Sequence, residues 1–421
     1  MPPKQTGETT TEDVSPQSEH TPAWRRVWDA GVGGPEPASP APRQLTLLTL
    51  ALLAVMLAAW RGAILVVSEA WARLGVREPW PDEIGQMALW RYSFRWDSGW
   101  YLTIARDGYY HVPDGQSSIA FFPLFPFSMR FLDQVLPGTD VLAGLVIVHL
   151  ALVGALIYIY KLVQLDYPEI VAWRAIFFTL IFPGSFFFSA LYTESLLLLG
   201  FAGTLYHARR GQWLLAGVFG CLTGLTKLIG IVLIAPVGLE LLRQNALSLK
   251  NPRPALYSSL VPAGAIGYLA YLHVQYGDFR VYFDAQSHWF RNTFSPEPFV
   301  IFAQVITGNT PELFHYPANI TPIHSLFTLK DMGALFLFLG AGIYLWLRVR
   351  PSYGALVIAG AMVPALSGTP MAMARHMAIL FPVFILIGRI QSEPIRNAIA
   401  IVSVFGLGMT TFLFVNGFWA G

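Results

Sequence analysis

Apolar runs long enough to cross a bilayer recur along most of this chain, separated by short polar stretches. A spanning helix needs about 20 apolar residues. On that template the runs fall at 45–67, 141–163, 173–190, 195–207, 213–226, 228–242, 256–274, 332–347, 354–366, 377–390 and 395–415, with several of the middle ones short. The pattern predicts an all-α, multi-pass membrane protein of about eleven transmembrane helices. Two long polar-aromatic segments, 68–140 and 275–331, interrupt it and are expected to carry amphipathic helices at the membrane surface.

The connections alternate in character. One set is short and basic, with Arg25, Arg26 and Arg43 ahead of the first run and Lys161, Arg174, Arg209, Arg210, Arg243, Lys250, Arg253, Arg348, Arg350, Arg389 and Arg396 after later ones. The positive-inside rule puts these in the cytoplasm. The other set comprises the two long segments and the turns at 189–194, 226–228 and 367–376, which then lie outside. Eleven crossings fit this parity, with a cytoplasmic N-terminus and an outer C-terminus. The expected location is a cell membrane with the working face outside, or the endoplasmic reticulum membrane with a lumenal site in a eukaryote.

Composition supports the membrane class. Residues are 54% hydrophobic and 12% charged, where soluble domains carry roughly 25% charged residues. A net charge of +2 without a basic run excludes a nucleic-acid partner. The lone Cys221 excludes a disulfide framework and a cysteine metal site. Residues 1–42 are polar and proline-rich, and read as a disordered cytoplasmic tail ahead of an integral membrane domain over 43–421.

Chemistry is expected on the outer side, where positive charge is not needed for orientation. The densest segment is 94–126, FRWDSGWYLTIARDGYYHVPDGQSSIAFFPLFP. Helical spacing places Asp97, Tyr101 and Gly108 near one face and Trp96 and Trp100 on its neighbour. A carboxylate held partly desolvated at the membrane surface, with Arg95 close by, can act as a general base; it can equally pair with a local arginine or cap a helix. Glu194, beside Tyr192 and Ser195, either faces a protein-lined cavity or complements the dipole of the helix it opens. Lys227 and Arg375 each have two readings, snorkelling to lipid headgroups or holding a substrate phosphate. His376 is a proton carrier or a structural histidine. In the second outer segment Asp284 and His288 stand four apart, a metal pair without a third ligand, so no cofactor is expected.

Four ordered motifs carry a resemblance. They are Arg95-Trp96-Asp97-Ser98-Gly99-Trp100-Tyr101, Ile104-Ala105-Arg106-Asp107-Gly108-Tyr109, Ala120-Phe121-Phe122-Pro123-Leu124-Phe125-Pro126 and Ser189-Ala190-Leu191-Tyr192-Thr193-Glu194-Ser195. Together they resemble the PIG-V family, GPI mannosyltransferase II and its prokaryotic relatives, in the superfamily with the GT-C fold. The resemblance implies a glycosyltransferase that moves a sugar, typically mannose, from a polyprenyl- or dolichyl-phosphate donor to an acceptor, with inversion. It makes Asp97 the base on the acceptor hydroxyl and Glu194 the second acidic residue, and it gives Lys227 and Arg375 to the leaving phosphate. Arg95, Trp96, Trp100, Tyr101, Tyr192, Gln286, Trp289 and His376 fall in family-like segments and complete the expected substrate-binding set. Family members often have Arg-Tyr where this chain has Arg375-His376. The expected partners are a lipid-linked sugar, membrane lipids and a glycolipid, polymer or protein acceptor. The competing classes are a flippase of lipid-linked sugars, which would place polar groups at mid-membrane in repeated broken helices, and an inactive partner subunit.

Overall fold

The computed structural model describes residues 45–74, 92–136, 139–289, 291, 295–307, 321–368 and 372–418. The expected tail at 1–42 lies outside them, as do residues 75–91 of the first outer segment and 308–320 of the second. The described chain is helical, and its only bridges are isolated, Ser248 with Asn251 and Ser295 with Ser367.

In chain order the helices are α1 (Leu47–Leu74), α2 (Asp97–Asp107), α3 (Leu124–Asp133), α4 (Asp140–Val163), α5 (Glu169–Ile181), α6 (Glu194–Arg209), α7 (Trp213–Thr226), α8 (Ile234–Arg243), α9 (Arg253–Ser258), α10 (Leu260–Tyr276), α11 (Val281–Ser287), α12 (Glu297–Ile306), α13 (Thr321–Arg348), α14 (Pro351–Ala365), α15 (Met373–Ala378), α16 (Pro382–Arg389) and α17 (Glu393–Val415). Three 3-10 turns at Ser118–Ala120, Pro183–Phe188 and Leu228–Leu233 join them. Local chemistry sets many of the ends. The Thr139 hydroxyl accepts the N–H of Leu142 and starts α4. Pro351, Pro382 and Pro394 sit in the first turns of α14, α16 and α17, where a missing N–H costs nothing. Gly277, at φ 81°, closes α10 in the left-handed conformation.

Among the described residues, five helical stretches are long and apolar enough to cross a membrane: Leu47–Arg73, Asp140–Val163, Arg253–Tyr276, Leu329–Arg348 and Glu393–Val415. Leu47, Val55 and Val66 of α1 and Ile401, Val402 and Phe405 of α17 point outward and are exposed. Large apolar side chains facing away from the core, on helices whose other face is packed, are what lipid contact requires. This is a membrane protein.

The shorter runs are resolved differently from one uninterrupted span each. The run at 173–190 is α5 followed by the turn Pro183–Phe188, because Pro183 cannot donate to the helix ladder. The run at 228–242 opens with a 3-10 turn before α8. The run at 377–390 is divided between α15 and α16. Each break takes backbone out of the regular helical ladder inside the bundle, and two of the breaks lie at the site. The main core gathers α4, α5, α6, α14 and α16, and a second cluster packs α2, the 118–125 segment, α10 and α11.

Candidate active site

Two remote segments are stitched together by bonds that involve no candidate catalytic carboxylate. The Leu191 N–H donates to Ser93 O at 2.8 Å, and the Tyr192 hydroxyl donates to Arg95 O at 3.0 Å. The turn before α6 is thereby held against the start of α2. Asp97 is the first residue of α2, and Glu194 the first of α6.

A third segment brings Arg375 between them. Helix α15 packs on the Pro183–Phe188 turn at a distance that only glycine allows. A Cβ on Gly184 would stand 2.2 Å from Ala374 O and 2.8 Å from Ala374 C. Those are backbone atoms and cannot swing aside. Gly184→Ala is therefore expected to displace α15 and Arg375 with it. Misplacement of a site group by about 1 Å costs on the order of 10²-fold in rate, to be read as turnover of the purified variant.

Arg375 joins the two carboxylates. Its Nε donates to Glu194 Oε1 at 2.5 Å and its Nη1 to Asp97 Oδ2 at 2.8 Å. The Tyr192 ring lies 4.4 Å from the guanidinium carbon and the Phe187 ring 5.2 Å, a cation–π floor. Burial alone would lower the arginine's proton affinity, but Glu194 and then Asp97 more than offset it. The Asp97 side chain keeps 23% exposure while those of Glu194 and Arg375 keep 2% and 4%; Asp97 is the more open of the two carboxylates.

Lys227 closes α7 with its Nζ 3.8 Å from Glu194 Oε1. Burial and the neighbouring Arg375 pull its ammonium down to about 8, against Glu194 and Asp97. Burial and Arg375 likewise lower Arg291 to about 10, and its Nη1 donates to Ser367 Oγ at 2.6 Å. His376 is buried, and burial with the charges of Lys227, Arg291 and Arg375 presses it well below the ordinary histidine value. It is neutral at physiological pH.

The other expected residues divide between the cluster and its frame. Tyr101 is buried, with its hydroxyl 3.4 Å from Thr193 Oγ1; burial, then Asp97 and Glu194, raise its phenol. Trp100 stacks on Phe121 at 5.7 Å and meets Trp289 at 5.0 Å. Gln286 Nε2 donates to Ala120 O at 2.8 Å, so the second outer segment braces the first. The Arg95 guanidinium reaches Val415 O at 3.3 Å, at the end of α17. Trp96 is exposed and sits at φ 54°, a conformation that costs a bulky residue about 1–3 kcal/mol. A cavity of about 330 Å³ opens beside α2, lined by Phe94, Gly99, Trp100, Leu102, Thr103, Arg106 and Tyr110. Arg106 itself pairs with Asp140. Among the described residues no three His, Cys, Asp or Glu side chains gather as metal ligands.

Two residues near the cluster were not singled out as site residues by sequence. Arg291 carries the same signal as Lys227, a cation on the side where orientation does not need one. Asp331 is buried and accepts the Ala374 N–H at 3.4 Å, steadying the segment that bears Arg375. An acidic residue at the edge of an apolar run was its only trace in the sequence.

The profile described as mannosyltransferase (PIG-V) matches residues 43–260, a little over half of the 421 residues. The chain belongs to the PIG-V mannosyltransferase family. Asp97, Glu194 and Lys227 lie inside the PIG-V match, whereas Arg291, Arg375 and His376 come from beyond it. Comparison with curated protein sequences returns no match. Among solved structures, the chain is similar to the apo oligosaccharyltransferase of Archaeoglobus fulgidus at 15% identity and TM-score 0.37, over 86% of this chain and 56% of that one. The same enzyme with Zn and sulfate gives 16% identity and TM-score 0.43, over 85% and 53%. Its complex with an inhibitory peptide and a dolichol-phosphate gives 13% and 0.37, over 86% and 56%. The chain thus spans little more than half the length of those structures.

Proposed function

We propose that this PIG-V family member transfers mannose from a polyprenyl-phosphate donor to an acceptor hydroxyl at the outer face of the membrane, with inversion. In this reading residues 43–421 form a GT-C-type bundle of about eleven crossings with a cytoplasmic N-terminus. The observation that carries it is the meeting of Asp97, Glu194, Arg375 and Lys227, drawn from four separate elements. Phosphate is a good leaving group, so the protein needs to supply a base, orientation and charge stabilisation.

The chemistry follows from the side chains. Asp97, the more open carboxylate, takes the proton of the acceptor hydroxyl. The acceptor oxygen then bonds to the anomeric carbon as the bond from that carbon to the phosphate oxygen breaks. The electron pair leaves with the polyprenyl phosphate, and inversion follows from attack opposite the leaving group. Lys227 and Arg291 supply positive charge for the released phosphate, because two nitrogens of Arg375 are already held by carboxylates. His376, being neutral, adds no charge. Trp100, Phe121 and Trp289 form an aromatic wall of the kind on which sugar rings stack.

Purified protein incubated with polyprenyl-phosphate-mannose and a membrane extract is expected to yield a new mannosylated product. Failure to transfer from any lipid-linked sugar would overturn the reading. A pH dependence follows as well. Lys227, lowered to about 8, is a cation below that pH and neutral above it. Productive use of the lipid phosphate is expected to fall as pH rises through about 8. Lys227→Arg stays charged and should carry the decline to higher pH, seen as a shifted alkaline limb of kcat/KM.

A further inference from the structure

Two polar atoms at the centre of the cluster have no partner among the described residues: Glu194 Oε2 and Arg375 Nη2. Both side chains are nearly sealed from solvent, Glu194 at 2% and Arg375 at 4% exposure. The atoms belong to the two partners of one ion pair. Oε2 shares its carbon with Oε1, and Nη2 shares its carbon with Nε, and Oε1 and Nε are bonded to each other at 2.5 Å. One carboxylate acceptor and one guanidinium donor of the same ion pair therefore stand without a partner, with the guanidinium above the rings of Tyr192 and Phe187. Buried polar groups are ordinarily satisfied, and leaving a charged one without a bond is costly.

The chemistry of the pair defines its ligand. The group must donate to Oε2 and accept from Nη2. A phosphate dianion has no proton to donate, so it cannot satisfy the Oε2 acceptor. An ammonium donates but cannot accept. A hydroxyl does both. We propose that Glu194 and Arg375 form a subsite for one hydroxyl of an uncharged sugar ring, and that this pair selects the sugar while Lys227 and Arg291 take the phosphate. The proposal rests on the mannosyl-transfer reading and adds a specificity role to a pair that would otherwise be purely electrostatic. Arg375 then has two duties: it orients Asp97 through Nη1 and reads the sugar through Nη2.

The test is binding without turnover. Full-length protein in detergent micelles is titrated with methyl α-mannopyranoside and with its 2-, 3-, 4- and 6-deoxy analogues, followed by saturation-transfer NMR. One analogue is expected to bind about tenfold more weakly than the parent or worse, because its loss leaves both buried atoms unmatched. Glu194→Gln and, separately, Arg375→Lys are expected to flatten that difference. Inorganic phosphate should not displace the sugar. Equal binding of all four analogues, as when water alone satisfies the pair, overturns the proposal. So does the absence of any binding by the parent sugar, or displacement by phosphate from wild type that Arg375→Lys abolishes. Protein that transfers mannose yet treats the analogues alike keeps the transferase and loses the subsite. Protein that discriminates the analogues yet transfers nothing does the reverse.

Discussion

Asp97→Asn is expected to lower sugar transfer by about 10²–10⁴-fold, the usual contribution of a positioned general base. The substitution keeps the shape of the side chain and an oxygen able to accept from Arg375 Nη1, which now bonds Asp97 Oδ2 at 2.8 Å. It removes the proton acceptor. The loss should therefore fall on kcat, while binding of the sugar in the absence of turnover stays within a few-fold of wild type. Initial rates with a labelled lipid donor, set beside saturation-transfer binding of methyl mannoside, separate the two. A variant that transfers at the wild-type rate would remove Asp97 from the reaction. A flippase or scaffold would tolerate the change.

The second large effect lies at the opposite end of α6. Glu194 opens that helix and Arg209 ends it, which at 1.5 Å per residue separates them by ~22 Å. Arg209 bonds Asp166 Oδ1 at 2.5 Å and the Tyr353 hydroxyl at 2.6 Å. Beside them Glu240, fully buried, takes Arg350 Nε at 2.6 Å, Arg350 Nη2 at 2.9 Å and the Ser352 hydroxyl at 2.5 Å. Glu240→Ala strips the carboxylate from a buried guanidinium. Breaking such a pair from one side costs about 3–5 kcal/mol, whereas replacing both partners by apolar groups is often neutral. The single variant should unfold at a markedly lower temperature in detergent, and Glu240→Leu combined with Arg350→Met should recover most of the loss. Equal melting temperatures for wild type and Glu240→Ala would show that the pair contributes nothing to stability.

Part of this was legible in the residues. Asp97 stood out because lipid does not tolerate the charge density around it, and Glu194 because an acidic residue opening a short apolar run needs a polar partner. The apolar runs located most helices to within a few residues, since lipid exposure and helical periodicity are written in local sequence. The breaks were less legible. Pro183 and Pro382 are visible as letters, but hydropathy averages over them and continues the run. Arg375 was read as a phosphate ligand or a snorkelling side chain, and its two carboxylate bonds were not legible in the sequence. Arg95 looked like the partner of Asp97 because it is two residues away, while its guanidinium turns to the end of α17.

Sequence by itself determined the membrane class, the helical architecture and the identity of the charged residues that cannot face lipid. Each is a property of a window of about 20 residues, where transfer energy and backbone hydrogen bonding are decided locally. Only the tertiary structure decided which charges meet. Asp97 and Arg375 are 278 residues apart, and no local pattern encodes that pairing. It comes from the bonds of Leu191 and Tyr192 to the 93–95 segment, and from the space Gly184 leaves for α15. Those contacts turn a scatter of ions along one membrane protein into a single buried cluster.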